Sequence, residues 1–370
     1  MTSLTDIYHR ALDGTPLTFA EAMALWNDAP LAELMTAADA VRRRLHPEER
    51  VTWQIDRNVN ITNVCVSGCK FCSFHCRLAD RERAYVTSME EYRRKIREML
   101  ALGGEQLLLQ GGLHPRLDLA WYEKLFSALK SEFPNVKLHA LGPPEIAHIA
   151  RISGFGSDAE GYRAVLERLV TAGLDSLPGA GAEILDNEIR RRISPGKCSA
   201  DTWLEVMRVA HRMGLCTSAT MMYGHVERPE HRILHLLKIR DLQSLKPDSA
   251  PGFLSFIAWP YQGRGTALEA ETGLSGGAET AEFLRMIAVS RLVLHNIPNI
   301  QASWLTTGLA AGQMALHGGA NDMGSIMIEE NVVSATGFEG RTTIDAERMQ
   351  EAIRAAGFTP ALRNQRYELL

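Results

Sequence analysis

The sequence predicts an α/β protein built as a (β/α)8 barrel of the TIM type, with an N-terminal helical extension and a C-terminal helical tail. Between about Val51 and Gly340, short apolar stretches alternate with amphipathic segments about eight times, as parallel strands do with their covering helices. Glycine and polar residues follow most of the apolar stretches, which favours a barrel with a working face at its strand ends. A doubly wound open sheet is the alternative.

Composition and charge narrow the class of protein. The 370 residues are 45% hydrophobic and 23% charged, an ordinary soluble profile, and the net charge of −4 gives no sign of nucleic-acid binding. No apolar run is long enough to cross a membrane, and the first residues lack the pattern of a secretory signal. Half of the six cysteines are clustered, unlike a disulfide framework. We therefore expect a cytoplasmic protein with no membrane insertion.

Three regions are expected along the chain: a helical extension over residues 1–50, a barrel core over 51–340 and a tail over 341–370. In the extension, Thr18 with Glu21 three residues later forms a capping box that starts one helix. A second helix, with apolar residues at helical spacing, covers Leu31–Arg44. The tail is expected to hold one helix over Asp345–Ala356, followed by a short extension.

The core elements follow from periodicity and turn residues. The predicted strands are Val51–Ile55 continuing to Ile61–Val64, Leu107–Gln110, Val136–Leu141, Ser176–Pro178, Thr217–Met222, Phe253–Ile257 and Ile300–Trp304, with the segment Asn321–Ser325 placed after an eighth strand. The predicted helices are Glu90–Leu102, Leu119–Phe133, Tyr162–Ala172, Thr202–Met213, Pro229–Leu245 and Ala278–His295.

Three cysteines lie within eight residues on the loop after the first strand. Cys65, Cys69 and Cys72 have the spacing C-x3-C-x2-C, which lets three thiolates hold three irons of a cubane [4Fe-4S] cluster and leaves the fourth iron open. Cys76 extends the run to four cysteines, so a zinc knuckle or a closed cluster is an alternative, and His75 is another possible fourth ligand. Ordinary buried cysteines are the third alternative.

Polar and glycine residues recur at the same end of nearly every predicted strand. Taken singly, Glu145, Glu183 and Glu227 suit helix N-termini, where the dipole stabilises a carboxylate, and the histidines and tryptophans suit packing. Their recurrence at one face of the barrel is what indicates a site. The segments are Gln110–Pro115, Gly142–Ile146, Gly179–Glu183, Tyr223–Glu227, Trp259–Gln262, Gln301–Trp304 and Asn321–Ser325.

The cysteine spacing, with Phe71 before its last cysteine, resembles the radical S-adenosylmethionine (SAM) superfamily. Gln110-Gly111-Gly112 resembles that family's glycine motif, although Leu113 stands where an acidic residue is commoner. Gly224–Glu227 resembles its G-x-x-E segment. Longer stretches resemble the menaquinone and deazaflavin branch of the superfamily: Gln110–Pro115, Asp175–Leu185, Arg192–Lys197, Ala219–Glu227, Asn299–Trp304 and Gly319–Ser325.

This resemblance implies two cofactors, a [4Fe-4S] cluster and SAM, and assigns residues to them. Cys65, Cys69 and Cys72 would bind the cluster, whose open iron the methionine part of SAM would chelate. The cofactor-binding residues implied around SAM are Phe71 near the adenine, Gln110, Gly111 and Gly112 at the methionine amino group, Glu183 at the ribose hydroxyls, Arg190 at the methionine carboxylate, and Tyr223 and Glu227 in the segment near the adenine.

Within the branch, the chain most resembles the cyclases of the futalosine route to menaquinone. The resemblance implies that a 5′-deoxyadenosyl radical takes a hydrogen from the ribose C4′ of dehypoxanthine futalosine, after which the substrate radical adds to the benzoate ring. Such an oxidoreductase would need a base, for which the candidates are His225, Glu145, Asp322 and His114, and candidate substrate contacts are Gln301, Ser303, Trp304 and Asn321.

Partners and competing functions follow from the same resemblance. An external one-electron donor such as flavodoxin or ferredoxin is expected, and the chain is expected to form a homodimer. The sister reactions, aminofutalosine synthesis and deazaflavin formation from tyrosine, are alternatives because they use the same cluster. A non-catalytic protein with a closed metal site, using Cys76 as its fourth ligand, is the alternative from another class.

Overall fold

The computed structural model describes residues 3–336 and 343–370, and ten strands form its sheet. All the strand pairs in these residues are parallel. The strands are β1 (Arg50–Gln54), β2 (Asp56–Asn60), β3 (Gln106–Gln110), β4 (Lys137–Ala140), β5 (Ser176–Leu177), β6 (Cys216–Tyr223), β7 (Gly252–Pro260), β8 (Asn299–Gln301), β9 (Asp322–Ser325) and β10 (Thr359–Leu362).

The order of the strands returns to its starting point, which makes a barrel. From β10 the sheet runs through β1, β9, β8, β7, β6, β5, β4 and β3 to β2. Only Ile55 separates β1 from β2, so the two are halves of one extended run: its first half pairs with β9 and β10, and its second half pairs with β3. The TIM-type prediction is confirmed, and the open-sheet alternative is wrong.

Helices cover the outside of the barrel and also precede it. Most begin at a side-chain cap, such as Thr18, whose predicted capping box with Glu21 is present. The helices are α1 (Leu4–Leu12), α2 (Phe19–Asp28), α3 (Leu31–Leu45), α4 (Met89–Ala101), α5 (Leu119–Glu132), α6 (Pro143–Ile152), α7 (Ala159–Ala172), α8 (Asn187–Ile193), α9 (Ala200–Arg212), α10 (Pro229–Ser244), α11 (Ala267–Thr272), α12 (Thr280–Val293), α13 (Trp304–Thr307), α14 (Leu309–Leu316) and α15 (Ala346–Ala355), with a 3-10 turn at Ser334–Thr336.

The two ends of the chain are attached to the barrel in different ways. Helix α3 packs on α12 and α2 packs on α10, so the N-terminal helices add to the outer layer. The tail contains the predicted helix α15, and after it β10 joins the sheet beside β1. The expected boundary between core and tail at residues 340 and 341 lies outside the described residues. None of the described helices is long and apolar enough to cross a membrane.

Two different environments lie on the two faces of the sheet. Aliphatic and aromatic side chains such as Leu107, Leu109 and Phe256 fill the space between the strands and the helices. The inside of the barrel is mixed: most of the cavity surface is apolar, but Gln54, Asp56 and Asn58, at every second position along the run β1–β2, also face it. A TIM barrel usually fills this interior with branched apolar side chains, so an open cavity with a few polar groups indicates a place for a ligand.

Candidate active site

The cysteine loop follows β2 and holds its thiols with short local bonds. The Oγ atom of Ser67 lies 2.9 Å from the Sγ atom of Cys65 and 3.2 Å from that of Cys69. The backbone N–H of Leu113 donates to Cys65 Sγ at 3.2 Å. All three cysteines of the motif are free thiols, and Cys69 is the buried one. Hydrogen bonds to sulfur therefore help to fix the conformation of the loop.

The glycine motif after β3 packs directly against this loop. The N–H of Gly112 donates to the carbonyl of Thr62 at 2.8 Å, and a Cβ atom at Gly112 would lie 2.2 Å from the carbonyl oxygen of Val64. Val66 N–H donates to Leu113 O at 3.1 Å. Glycine is required here because the two backbones approach too closely for any side chain.

The thiol of Cys76 has different neighbours from the thiol of Cys69. Its backbone pairs with the start of the loop, since Cys65 N–H donates to Cys76 O at 3.1 Å. Burial raises the pKa of the Cys76 thiol, and its charged neighbours are Asp80 and Arg83. The charged or titratable neighbours of the Cys69 thiol are Lys197, Glu183 and Cys65. The geometry thus groups Cys69 with Cys65, and gives no support to the four-cysteine site.

The donor set suits a cluster better than a single ion. Across residues 3–336 and 343–370, no three Cys, His, Asp or Glu side chains converge closely enough to hold one metal ion. A cubane needs no such convergence, because each thiolate binds its own iron. Three free thiols on one loop, with N–H and O–H donors to sulfur around them, fit a [4Fe-4S] cluster, and the binding of that cluster by these residues stays a prediction.

A cavity of about 440 Å³ runs through the barrel from the cysteine loop to the opposite end. Phe71, Glu183 and Trp259 line its mouth, at the carboxyl ends of the strands. Arg363 and Tyr367, from the segment after β10, line its floor. The cysteine loop therefore lies at one end of the cavity, and the segment after β10 lies at the other.

Glu183 and Phe71 are brought together by Lys197, a residue that the sequence analysis did not select. Lys197 Nζ lies 2.7 Å from Glu183 Oε1 and 5.1 Å from the centre of the Phe71 ring. Burial opposes ionisation of Glu183, but Lys197 holds the pKa of this carboxyl below its ordinary value. Lys197 closes the stretch Arg192–Lys197 that resembles the branch, so the signal was present in the sequence.

Arg190 does not face the cavity. Its guanidinium is buried and donates to the carbonyl oxygens of Gly181 at 3.0 Å, Ala182 at 2.6 Å and Cys198 at 2.7 Å. These bonds brace the loop after β5 from behind. The expectation that Arg190 meets the methionine carboxylate therefore finds no support in the geometry, and Lys197 is the cation that contacts the cavity-lining Glu183 and Phe71.

Glu227 and Tyr223 shape the turn after β6 from outside the cavity. Glu227 accepts from the N–H groups of Gly224 at 2.6 Å and His225 at 2.9 Å, and from Arg232 Nε at 2.7 Å. Burial opposes its ionisation, but the His225 ring, whose Nδ1 lies 3.0 Å from Glu227 Oε2, and Arg232 hold the pKa of Glu227 well below its usual range. The Tyr223 ring lies 4.9 Å from the Arg232 guanidinium. Glu227 thus fixes the backbone of the turn, and Tyr223 packs against the arginine that binds Glu227.

None of the four predicted bases lines the described cavity. His225 Nε2 lies 3.1 Å from the carbonyl of Met222, and His114 Nδ1 accepts from the N–H of Arg116 at 3.1 Å. Glu145 accepts from the N–H groups of Gly111 at 3.0 Å and Gly142 at 2.5 Å, which fixes the glycine motif. These three side chains hold local backbone in place.

The expected position of the segment 321–325 is wrong. Asp322–Ser325 is the last barrel strand, β9, so Asp322 begins a strand instead of following one. Its carboxylate accepts from Arg363 Nε at 2.6 Å and Nη2 at 3.0 Å and is fully buried. Asn321 accepts from Arg291 at 2.7 Å and from Ile300 N–H at 3.0 Å. Polar, glycine-containing residues looked like a loop, but they pair at the closed end of the barrel.

The other substrate candidates all line the cavity, but not as one strand. Gln301 ends β8, Ser303 precedes α13 and Trp304 begins it, so the predicted strand over Ile300–Trp304 is too long. The indole N–H of Trp304 donates to the carbonyl of Ser325 at 3.1 Å, which fixes the ring across β9. Contact of these three with a substrate stays a prediction.

Two family models match consecutive parts of the chain. The radical SAM superfamily matches residues 59–238, and the CofH/MqnC C-terminal region matches residues 250–370. A cyclic dehypoxanthine futalosine synthase from Streptomyces coelicolor is 43% identical over 99% of this chain and 89% of its own length. This chain belongs to the radical SAM superfamily. The predicted family is confirmed, and this radical SAM enzyme shares with its relatives a [4Fe-4S] cluster and SAM as cofactors.

Further relatives of this radical SAM enzyme carry two different names. A cyclic dehypoxanthine futalosine synthase from Halalkalibacterium halodurans is 38% identical over 100% of this chain and 95% of its own. A 5-amino-6-(D-ribitylamino)uracil–L-tyrosine 4-hydroxyphenyl transferase from Archaeoglobus fulgidus is also 38% identical, over 91% of this chain and 94% of its own. Overall sequence identity therefore assigns the chain to this branch, but it does not by itself distinguish between the two reactions.

Solved structures match the fold of this radical SAM enzyme. Methylornithine synthase has a TM-score of 0.72 at 21% identity, covering 97% of this chain and 98% of that one. The [FeFe]-hydrogenase maturase HydG from Carboxydothermus hydrogenoformans has a TM-score of 0.73 at 16% identity, covering 98% and 80%. At such identities the likeness supports the TIM-type barrel and nothing further.

Proposed function

We propose that this radical SAM enzyme is a cyclic dehypoxanthine futalosine synthase of the futalosine route to menaquinone. The observation that carries the proposal is the match to two synthases of this name, at 43% and 38% identity over nearly the whole chain. The 4-hydroxyphenyl transferases reach at most 38% among these relatives, and one of them, at 37%, also aligns over 99% of the chain, so the higher identity of 43% is what favours the synthase. A substrate-level test separates the two.

The residues at the mouth would hold the cofactors. Cys65, Cys69 and Cys72 would bind the cluster, and the backbone of the Gly111-Gly112 turn, packed on their loop, would receive the methionine part of SAM. Glu183 offers a carboxylate to a ribose diol, and Lys197 beside it offers a cation to a carboxylate. When bound, the two cofactors supply a 5′-deoxyadenosyl radical.

The cavity beneath them would hold the substrate. Gln301 and Ser303 present polar groups and Trp304 an aromatic face, which together suit a sugar joined to a benzoate ring. The enclosing barrel keeps bulk water away and fixes the ring against the ribose, so that cyclisation is an intramolecular step between groups held in contact. These contacts are the protein's contribution to the reaction.

The proposal extends to partners and place. We propose that the electron comes from an external carrier such as flavodoxin or ferredoxin, that two chains associate, and that the enzyme works in the cytoplasm. The cysteine loop supports the first point, since Cys65 and Cys72 are partly exposed at the barrel mouth. Reduction of the cluster by purified flavodoxin and light scattering of the holoenzyme test the first two.

The test is an anaerobic assay of the enzyme with its cluster, SAM and a strong reductant. One reaction contains dehypoxanthine futalosine, and the other contains tyrosine with 5-amino-6-(D-ribitylamino)uracil. We expect 5′-deoxyadenosine and a product two hydrogens lighter than the substrate in the first reaction only, by mass spectrometry. Turnover in the second reaction alone would assign the enzyme to deazaflavin synthesis. A Cys69→Ala variant is the control without radical formation.

A further inference from the structure

The proposed cyclisation needs a proton acceptor, and the cavity offers a small set of candidates. Ring closure leaves one hydrogen too many on the attacked ring carbon, so aromaticity returns only when a proton and an electron leave. A base must lie within reach of the ring, directly or through one water. His225, Glu145, Asp322 and His114 are all outside the described cavity wall, so another group must serve.

The carboxylates that line the cavity are already engaged. Glu183 is paired with Lys197. Glu330 accepts from the backbone N–H groups of Val332 and Val333 at 2.6 and 2.7 Å. Asp56 accepts from Gln54 Nε2 at 3.0 Å, from Gln106 Nε2 at 3.3 Å and from Ser325 Oγ. Protonation of any of these carboxylates would remove the negative charge that strengthens the bonds it accepts.

His139 differs from them because one of its ring nitrogens is free. It lies in β4 and lines the cavity, and its side chain is only half-buried there although it is deep in the barrel. Its Nδ1 lies 2.6 Å from Ser176 Oγ. In the described part of the chain no group hydrogen-bonds to its Nε2, so that nitrogen is open to a ligand in the cavity.

A hydrogen-bond chain sets the tautomer of His139. Ser176 Oγ donates its single proton to Gln365 Oε1 at 2.9 Å. The same oxygen can therefore only accept from His139, which places the imidazole proton on Nδ1 and leaves a lone pair on Nε2. Burial, with Arg363 nearby, lowers the pKa of His139 to about 3, so the ring is neutral at physiological pH. It is held ready to accept a hydrogen bond or a proton.

We propose that His139 Nε2 is the proton acceptor that restores the aromatic ring after cyclisation; this rests on the proposed function. In one coupled step, the ring radical passes one electron to an iron–sulfur or flavin carrier while the carbon–hydrogen bond at the attacked ring carbon breaks. The electron pair of that bond stays in the ring and the proton goes to Nε2. Because this step restores aromaticity, a weakly basic imidazole suffices, and Ser176 with Gln365 holds it in place.

The test is a His139→Asn variant of the holoenzyme, assayed under the same anaerobic conditions with dehypoxanthine futalosine. Asparagine keeps an N–H near the position of Nδ1 for Ser176 and removes the Nε2 acceptor. We expect 5′-deoxyadenosine to form still, while the ratio of cyclised product to 5′-deoxyadenosine falls at least 100-fold, within the usual contribution of a general base. Electron paramagnetic resonance should detect the ring radical, which then accumulates.

The matched control is His148→Asn, the same replacement at a buried histidine of α6 outside the cavity, whose Nε2 lies 2.9 Å from His114 O. It should keep the wild-type ratio. An unchanged ratio in His139→Asn would overturn the proposal. Ser176→Ala, which frees the tautomer, should lower the ratio less, and this variant decides the matter if the asparagine variant does not fold. Failure of the wild-type enzyme with this substrate would instead contradict the proposed function.

Discussion

Single residues at the mouth of the barrel divide into those grouped at the cavity and those that hold the backbone. Glu183, Lys197 and Phe71 form one contact group beside Cys69. Glu227 and Arg190 instead form hydrogen bonds with backbone groups of the loops at this end of the barrel. Sequence position at a strand end identifies both kinds, and only the direction of the side chain separates them.

The cysteine loop gives a prediction with a built-in control. Cys69→Ala should remove the cluster, because two thiolates cannot hold three irons, whereas Cys76→Ala should keep it. Iron and sulfide content and the visible absorption of the two anaerobically reconstituted variants measure this. Loss of the cluster in the Cys76 variant would favour the closed four-cysteine site.

Glu145 gives a prediction for pH. Burial raises its pKa from 4.5 to about 7, against the two N–H donors of Gly142 and Gly111. The folded chain therefore binds this proton more tightly than the unfolded chain, so the stabilisation is complete below pH 4.5 and is lost as the pH rises through 7.

Replacement of Glu145 by Gln, which mimics the protonated form, should remove that loss. Between pH 4.5 and 7.5, the free energy of unfolding of Glu145→Gln minus that of the wild type should rise by about 3 kcal/mol, the equivalent of the pKa shift. Urea unfolding at several pH values measures the difference. A difference that is constant across this range would show that Glu145 is ionised at all of these pH values.

At the scale of elements, the periodicity of the sequence predicted the barrel correctly. The polar composition of residues 321–325 led to a wrong position for the last barrel strand. Helices such as α5 and α10 begin where the sequence indicated and end within two residues of the prediction. Strand β9 was missed because Asn321-Asp322-Met323-Gly324-Ser325 has the composition of a turn. Its polar groups pair with Arg291 and Arg363, which lie 30 and 41 residues away, so only the tertiary structure reveals why a strand can carry them.

The junction of β9 with the tail gives a stability prediction. Arg363 and Asp322 form a buried pair whose side chains are 4% and 0% exposed. Arg363→Ala should lower the free energy of unfolding by about 3–5 kcal/mol, since it leaves a buried carboxylate without its partner. Arg366→Ala, which loses only an exposed pair with Glu368, should cost below about 1 kcal/mol. Urea unfolding of both variants measures these free energies. Equal small losses of stability in the two variants would contradict a strong contribution from the buried pair of Arg363 with Asp322.

For the whole molecule, the sequence analysis missed one feature, the row of polar side chains that faces the inside of the barrel. Gln54, Asp56 and Asn58 alternate with Ile55, Arg57 and Val59, which normally indicates a strand with one face in water. Closure of the sheet turns that polar face inward. Sequence reasoning therefore found the fold and most of the mouth, but not His139 or the floor of the cavity, because these depend on which strands meet across the barrel.

Polar side chains inside the barrel should cost stability and serve function. Asn58 is buried, and its Oδ1 has no hydrogen-bond partner among the described residues. Asn58→Leu should raise the free energy of unfolding by about 1 kcal/mol, because it removes an unsatisfied acceptor. It should also lower kcat/KM for dehypoxanthine futalosine at least tenfold. Thermal unfolding and steady-state assays measure the two effects, and a variant that is more stable and fully active would show that the cavity does not bind substrate at Asn58.

The floor of the barrel has a consequence for biosynthesis. Strand β10 pairs with β1 from the other end of the core, and Arg363 bonds to Gln54 across 309 residues of sequence. A ribosome makes every other strand before it makes this one, so the nascent barrel stays open at its lower end until residues 359–367 have left the exit tunnel. The floor of the cavity is therefore among the last parts of the chain to form.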